Sequence, residues 1–167
     1  LKDYFNADPL MLMISGELRI ALLTDHIPLK NVLDFINKDI VEKKIKVLEK
    51  CLVNDFKINK PKIAVLAINP HAGDNGLIGN EDELIIKPVI NSFTGNTSTV
   101  YGPFSADTFF TNENYKKYDA IIAAYHDQGL IPFKTISFGK GVNFSAGLSF
   151  IRTSPDHGTG FDIAGKG

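Results

Sequence analysis

One pattern constrains the fold more than any other: a continuous apolar run, the length of a single strand, that stops at a histidine, and it occurs three times. Ala120-Ile121-Ile122-Ala123-Ala124 runs into Tyr125-His126-Asp127-Gln128-Gly129, Ile20-Ala21-Leu22-Leu23-Thr24 into Asp25-His26, and Ile63-Ala64-Val65-Leu66-Ala67-Ile68 into Asn69-Pro70-His71. An apolar run without alternation reads as a strand covered on both faces, the situation of strands in a parallel sheet flanked by helices. The expected fold is therefore α/β, a mostly parallel sheet with flanking helices. Such sheets bind ligands beyond the carboxyl ends of their strands. If the three strands are parallel neighbours, three of the four histidines in the chain share one rim. Imidazole is the commonest protein metal ligand, and three imidazoles with an open position form a catalytic coordination set. His26, His71 and His126 are the candidate metal ligands.

The other elements follow from periodicity. Strands are expected at 19–24, 62–68, 119–125 and 142–148, and Leu10 to Ile14 is either a short strand or a helix fragment. Helical spacing predicts one helix over 29–36, with Pro28 suited to its first turn, and a second over 39–56. Asp39 is the predicted cap of the second helix, and Val41, Ile45, Leu48, Leu52 and Phe56 form its apolar face. Cys51 within it is a buried small side chain rather than a reactive thiol. A glycine-rich loop over 69–79 leads to a helix over about 81–93, opened by an Asn80/Glu83 capping box and kinked or broken at Pro88. Asp107 reads as a helix N-cap, as a carboxylate reaching into the site, or as both.

A net charge of -1 without any basic block argues against nucleic acid or an anionic membrane surface as partner. No apolar stretch approaches a membrane span, no signal peptide is visible, and the single cysteine suits a reducing compartment, so a cytoplasmic protein is expected. The chain begins at Leu1 and stops at Gly167 within a predicted loop, which reads as a piece of a longer polypeptide: one α/β unit, 1–167, of a two-domain protein.

Five segments in register carry a family resemblance: Thr24-Asp25-His26-Ile27-Pro28-Leu29, Asn69-Pro70-His71-Ala72-Gly73-Asp74, Gly102-Pro103 with Ala106-Asp107-Thr108, Tyr125-His126-Asp127-Gln128-Gly129, and Ile151-Arg152-Thr153-Ser154 with Asp156-His157-Gly158-Thr159. Together they resemble the 4-hydroxythreonine-4-phosphate dehydrogenases of pyridoxal phosphate biosynthesis, carboxy-terminal half. The resemblance implies an isocitrate/isopropylmalate dehydrogenase-like fold and a homodimer whose metal site is shared between subunits. It also implies an enzyme dependent on NAD or NADP and on a divalent ion, zinc, magnesium or cobalt. The implied reaction oxidises 4-phosphooxy-L-threonine to a β-keto acid, which loses carbon dioxide to give 3-amino-2-oxopropyl phosphate. Implied metal ligands fall on the same His26, His71 and His126, and implied substrate contacts on Lys134, Asn143 and Arg152. Lys134 suits anion binding, or general-base catalysis if its pKa is depressed. Asp107 and Asp127 suit the orientation of a ligand imidazole or a share in proton transfer.

The tail from Asp156 to Gly167 resembles the adenosine-binding loop of the isocitrate and isopropylmalate dehydrogenases, which assigns His157, Gly158, Thr159 and Asp162 to the nicotinamide cofactor. No Gly-x-Gly-x-x-Gly follows a strand, so the usual dinucleotide fingerprint is not the mode of binding. Asp74 and Pro155 depart from the residues most relatives have there. Two other readings use the same residues: a dehydrogenase of a phosphorylated sugar acid such as a threonate or erythronate phosphate, and a metal-dependent hydrolase, since three imidazoles and nearby carboxylates also activate water. A non-catalytic metal-binding or assembly module is the third.

Overall fold

Seven strands make one sheet in the computed structural model, which describes residues 9–93, 99–156 and 165. They are β1 (Leu10–Ser15), β2 (Leu18–Leu22), β3 (Lys62–Leu66), β4 (Thr99–Phe104), β5 (Ala120–Ala123), β6 (Val142–Ala146) and β7 (Thr153–Pro155), in the order β4-β3-β5-β2-β1-β6-β7. Strands β4, β3, β5 and β2 pair in parallel, whereas β1 is antiparallel to β2 and to β6, and β7 to β6. Only β1 and β7 therefore run against the rest, and the expected mostly parallel α/β sheet is what forms. The three histidine-terminated strands are adjacent in the order β3-β5-β2.

Five helices are described: α1 (Val32–Phe35), α2 (Lys38–Asn54), α3 (Lys87–Ser92), α4 (Ala106–Phe109) and α5 (His126–Ser137). Successive strand residues face opposite sides, and this divides the core in two. Ala21, Leu23, Ile63, Val65, Ala120 and Ile122 pack with α2 and α3, while Ile20, Leu22, Ala64, Leu66, Ile121 and Ala123 pack with α4 and α5. Val41, Ile45, Leu48 and Leu52 of α2 are each 0% exposed, and each such burial stabilises by roughly 2 kcal/mol. None of the described helices is long and apolar enough to cross a membrane.

Several local expectations need correction. Asn37, not Asp39, caps α2: its side chain accepts from the Ile40 N–H at 3.0 Å, and Asp39 falls in the first turn. The Asn80/Glu83 capping box does not form, because Glu83 pairs along the helix with Lys87. The helix over 81–93 is a π-turn, Asp82–Ile86, followed by α3, with Pro88 at the start of α3. Pro88 has no N–H to give to the preceding turn, so the turn widens there. Asp107 is not an N-cap; Ser105 holds that position, without a side-chain bond. Strand β4 was not visible in the sequence because it is an edge strand carrying Gly102-Pro103, a cis peptide, and proline is tolerated only at such edges. Leu10–Ser15 resolves as a strand, and helix α5 begins at His126 itself.

Candidate functional site

The rim where β2 and β5 end is built by backbone pairing that outlasts the strands. Leu23 N–H donates to Ala123 O at 2.8 Å and Thr24 N–H to Ala124 O at 3.2 Å, while the buried Thr24 hydroxyl donates to the same Ala124 oxygen at 2.8 Å. These bonds hold the two exits side by side, and the next residues are Asp25-His26 and Tyr125-His126. The His26 and His126 rings accordingly lie with centroids 5.6 Å apart. They line a cleft of about 330 Å3 together with Asp25, Tyr125 and Asp127.

Both imidazoles stand beside the aspartate next to them in sequence. His126 Nδ1 is 2.7 Å from Asp127 Oδ1, and this contact fixes the ring and leaves Nε2 free. His26 is looser: its backbone N–H donates to Asp25 Oδ1 at 2.7 Å, and its Nδ1 is 3.9 Å from Asp25 Oδ2. Two imidazoles bound to one tetrahedral ion at the usual zinc–nitrogen distance place their centroids about 5 Å apart. The observed separation fits two ligands of a single ion.

His71 is not with them. It is exposed in the turn after β3, and among the described residues no group of three His, Cys, Asp or Glu side chains is gathered to hold a metal. That turn is left-handed: His71, Ala72, Gly73, Asp74 and Asn75 all have positive φ. A Cβ on Gly73 would lie 2.4 Å from Gly79 O, so only glycine fits where the loop folds onto itself. The loop is launched by a buried carboxylate that the sequence reading passed over. Asp82, 1% exposed, accepts from Ile68 N–H at 2.7 Å, Asn69 N–H at 3.0 Å and Asn69 Nδ2 at 3.1 Å. Asn69 Nδ2 also donates to Glu81, whose carboxyl is held below its ordinary range first by a backbone hydrogen bond within Glu81 and then by Asn69.

Gln128, two residues after His126, is a second such residue. Its Oε1 accepts from Ala124 N–H at 2.7 Å and its Nε2 donates to Ala67 O at 2.8 Å. The signal for both missed residues is the same, a polar side chain near the start of a helix that follows a buried strand, where strand-end backbone groups need partners. Asp107 lines a more open groove of about 550 Å3 with Asp127, Gln128, Tyr125 and Ile131. Asp127 thus borders both depressions.

Lys134, Asn143 and Arg152 are spread along β6: Lys134 is held at Asp156 beside its start, and Arg152 meets Ser145 near its end. Phe144 and Ala146 of β6 pack on the α2 side, so Asn143 and Ser145 face the side of α5. Arg152 donates to Ser145 Oγ at 3.2 Å, and Asn143 Oδ1 is buried and has no hydrogen-bond partner among the described residues. Lys134 lies about 12 Å along α5 from His126. Its ammonium contacts Asp156 at the side chain, 3.3 Å, and donates to the backbone oxygen, 3.2 Å. Asp156 follows Pro155, which pairs with Val142 at the start of β6. The Lys134 ammonium is therefore directed to the rim opposite the histidines. A cleft of about 610 Å3 at that far rim, lined by Arg19, Tyr115 and Ser137, holds none of the candidate residues. The cofactor candidates His157, Gly158, Thr159 and Asp162 lie outside the described residues.

Comparison with known proteins gives these residues a context. The 4-hydroxythreonine-4-phosphate dehydrogenase of Bacteroides thetaiotaomicron is 47% identical over 158 residues, which are 95% of this chain and 43% of that protein. A crystal structure of a 4-hydroxythreonine-4-phosphate dehydrogenase from Burkholderia phymatum matches with TM-score 0.85 and 39% identity over 99% of this chain and 51% of its own. A terephthalate 1,2-cis-dihydrodiol dehydrogenase from Burkholderia xenovorans LB400 matches with TM-score 0.74 and 34% identity over 95% of this chain and 50% of its own. The chain spans about half the length of the relatives it matches. The family model of the pyridoxal phosphate biosynthetic protein PdxA matches residues 1–167, and the chain belongs to that family.

Proposed function

We propose that residues 1–167 are the metal- and nucleotide-binding carboxy-terminal portion of a longer, cytoplasmic, homodimeric dehydrogenase. In this reading the whole enzyme uses NAD or NADP to oxidise 4-phosphooxy-L-threonine and release carbon dioxide, giving 3-amino-2-oxopropyl phosphate. The observation that carries the reading is the His26–His126 pair, 5.6 Å apart on adjoining parallel strands, in a chain whose relatives bear that dehydrogenase name.

His26 and His126 are the residues that would hold a divalent ion, with His71 completing the set in the dimer. A bound ion of this kind lowers the pKa of a secondary hydroxyl and polarises the ketone that oxidation leaves. Asp127, on His126 Nδ1, keeps that ring in the tautomer whose Nε2 carries a lone pair. Asp107, in the adjoining groove, is the carboxylate placed to exchange a proton with a substrate there. Lys134 and Arg152 receive the phosphate, Arg by its planar fork and Lys as a point charge, and Asn143 offers its unpartnered amide oxygen. His157, Gly158, Thr159 and Asp162 receive the adenosine part of the cofactor.

The dimer is supported by placement within the protomer. The imidazole pair stands past the carboxyl ends of β2 and β5, whereas the Lys134 ammonium is held by Asp156 near the start of β6, and this separation supports a second copy as the source of one of them. The dihydrodiol dehydrogenase likeness supports a second substrate class, a cyclic diol, and a phosphorylated threonate or erythronate is a third. Reduction of NAD or NADP by the full-length protein with 4-phosphooxy-L-threonine, the two sugar-acid phosphates and a cis-dihydrodiol tests the reading. Turnover is expected with the first and is lost in His26→Ala and His126→Ala; full activity in both variants removes the ligand assignment.

A further inference from the structure

Gln128 performs a task to which no part of the proposed chemistry is assigned. The β3–β5 ladder ends at the Val65–Ile122 pair. Beyond it the Gln128 amide bridges the two chains, accepting from Ala124 N–H and donating to Ala67 O. Ala124 is two residues before His126, and Ala67 is four before His71. The same exit of β3 is held on its other groups: Ala67 N–H donates to Phe104 O at 2.8 Å, and Asp82 takes the N–H groups of Ile68 and Asn69. Every step from Ala67 to Asn69 is thus pinned before the chain enters the left-handed turn at His71, and Gln128 supplies the tie to the strand that carries His126.

We propose that Gln128 is a positioning residue of the rim: it fixes the exit of β5 against the exit of β3, and through them the placement of His126 relative to the His71 loop. The inference rests on the reading of these histidines as ion ligands. The chemistry of the side chain explains why a glutamine stands here. The tie needs one acceptor and one donor on a single planar group. Glutamate keeps the acceptor for Ala124 and turns a second acceptor against Ala67 O, leucine offers neither, and asparagine is one methylene short. Groups that orient metal ligands typically change ion affinity by about 10- to 100-fold when removed.

The test uses the full-length protein and Co2+, whose visible spectrum reports its ligand geometry. Gln128→Leu and Gln128→Glu are expected to weaken Co2+ binding by about tenfold or more and to alter the spectrum, and Gln128→Leu, which alone removes the acceptor, to speed hydrogen exchange at Ala124. Ile45→Val, a core change in α2, is expected to keep wild-type affinity and spectrum even though it lowers thermal stability. If Gln128→Leu exchanges faster at Ala124 but binds Co2+ as wild type does, the proposal is overturned and the tie is merely structural. Should Gln128→Leu fail to fold, Gln128→Glu, which loses only the donor to Ala67 O, decides by Co2+ affinity and spectrum alone: wild-type values overturn the proposal. If His26→Ala and His126→Ala both bind Co2+ normally, the ligand reading itself has failed, an outcome that involves no Gln128 variant and is told apart on that ground.

Discussion

Replacing Asp82 should release the His71 loop and weaken the whole fold by an amount that the structure sets. The carboxylate is 1% exposed and receives three hydrogen bonds, two of them from consecutive backbone N–H groups. In Asp82→Ala both backbone groups, on the half-buried Ile68 and Asn69, lose their partner. An unsatisfied buried donor costs about 1–3 kcal/mol, so the pair costs about 4 kcal/mol, a large share of the 5–15 kcal/mol typical of a domain. Asp82→Asn keeps one acceptor oxygen but turns an NH2 toward the Asn69 donors. The loss of two bonds is partly offset because a buried charge is removed, and about 2 kcal/mol should remain. Urea unfolding followed by circular dichroism reads both values from the midpoint at constant slope, and amide exchange at Ile68 and Asn69 reports the loop. Stability within 1 kcal/mol of wild type for Asp82→Ala, with both amides still protected, would refute the argument.

Burial first, and then a hydrogen bond that the thiol donates to the Asp55 carboxylate, push Cys51 up from 9.0 to about 12. The folded value lies above the unfolded one, so stability is full below pH 9 and falls as the pH rises toward 12, by about 1.4 kcal/mol per unit. Cys51→Ala should lack this component, visible as a shallower alkaline decline in urea midpoints. Gly129→Ala sets helix propensity, a gain of about 1 kcal/mol, against a Cβ that would stand 2.7 Å from Leu22 Cδ2 and 3.0 Å from Ala123 Cβ. Overpacking costs about 1–3 kcal/mol, so a net loss near 1 kcal/mol is expected in thermal melts. Ala72 has φ 53°, and Ala72→Gly should raise stability by about 1 kcal/mol because glycine enters the left-handed region without a Cβ penalty; a fall in melting temperature would contradict the strained turn.

How much was legible in the sequence depended on whether the signal was local. Strands β2, β3 and β5 were readable because both faces are covered and the runs are unbroken, and their common rim followed from the position of three histidines. The cap of α2 was misplaced by two residues because Asn37 and Asp39 both suit the role and only backbone geometry separates them. Strand β4 escaped because it takes its hydrogen bonds from β3 rather than from its own pattern, and its Gly102-Pro103 reads as a turn. Asp82 and Gln128 escaped for a related reason: Asp82 holds backbone groups 13 and 14 residues away, and Gln128 joins Ala124, four residues back, to Ala67, 61 residues back, and no periodicity encodes such pairings. Helix α5 was not among the predicted helices, and the direction of the Lys134 ammonium depends on Asp156, 22 residues away in sequence.

That direction has a consequence for how a dimeric enzyme would be tested. If a site takes imidazole from one protomer and the Lys134 ammonium from its mate, then His126→Ala and Lys134→Ala dimers, each inactive alone, complement on mixing. Each mixed dimer carries one site with both defects and one with neither, so with random exchange of subunits about a quarter of wild-type activity should return. If one protomer supplied both groups, every site in the mixture would carry a defect and nothing would return. The second outcome would require the Lys134 side chain to leave Asp156 and swing along α5 toward the cleft. That movement would abandon an aspartate whose side chain is 7% exposed, and a carboxylate left unpaired in such surroundings costs several kcal/mol. The mixing experiment separates the two arrangements without any knowledge of which ion or substrate is bound.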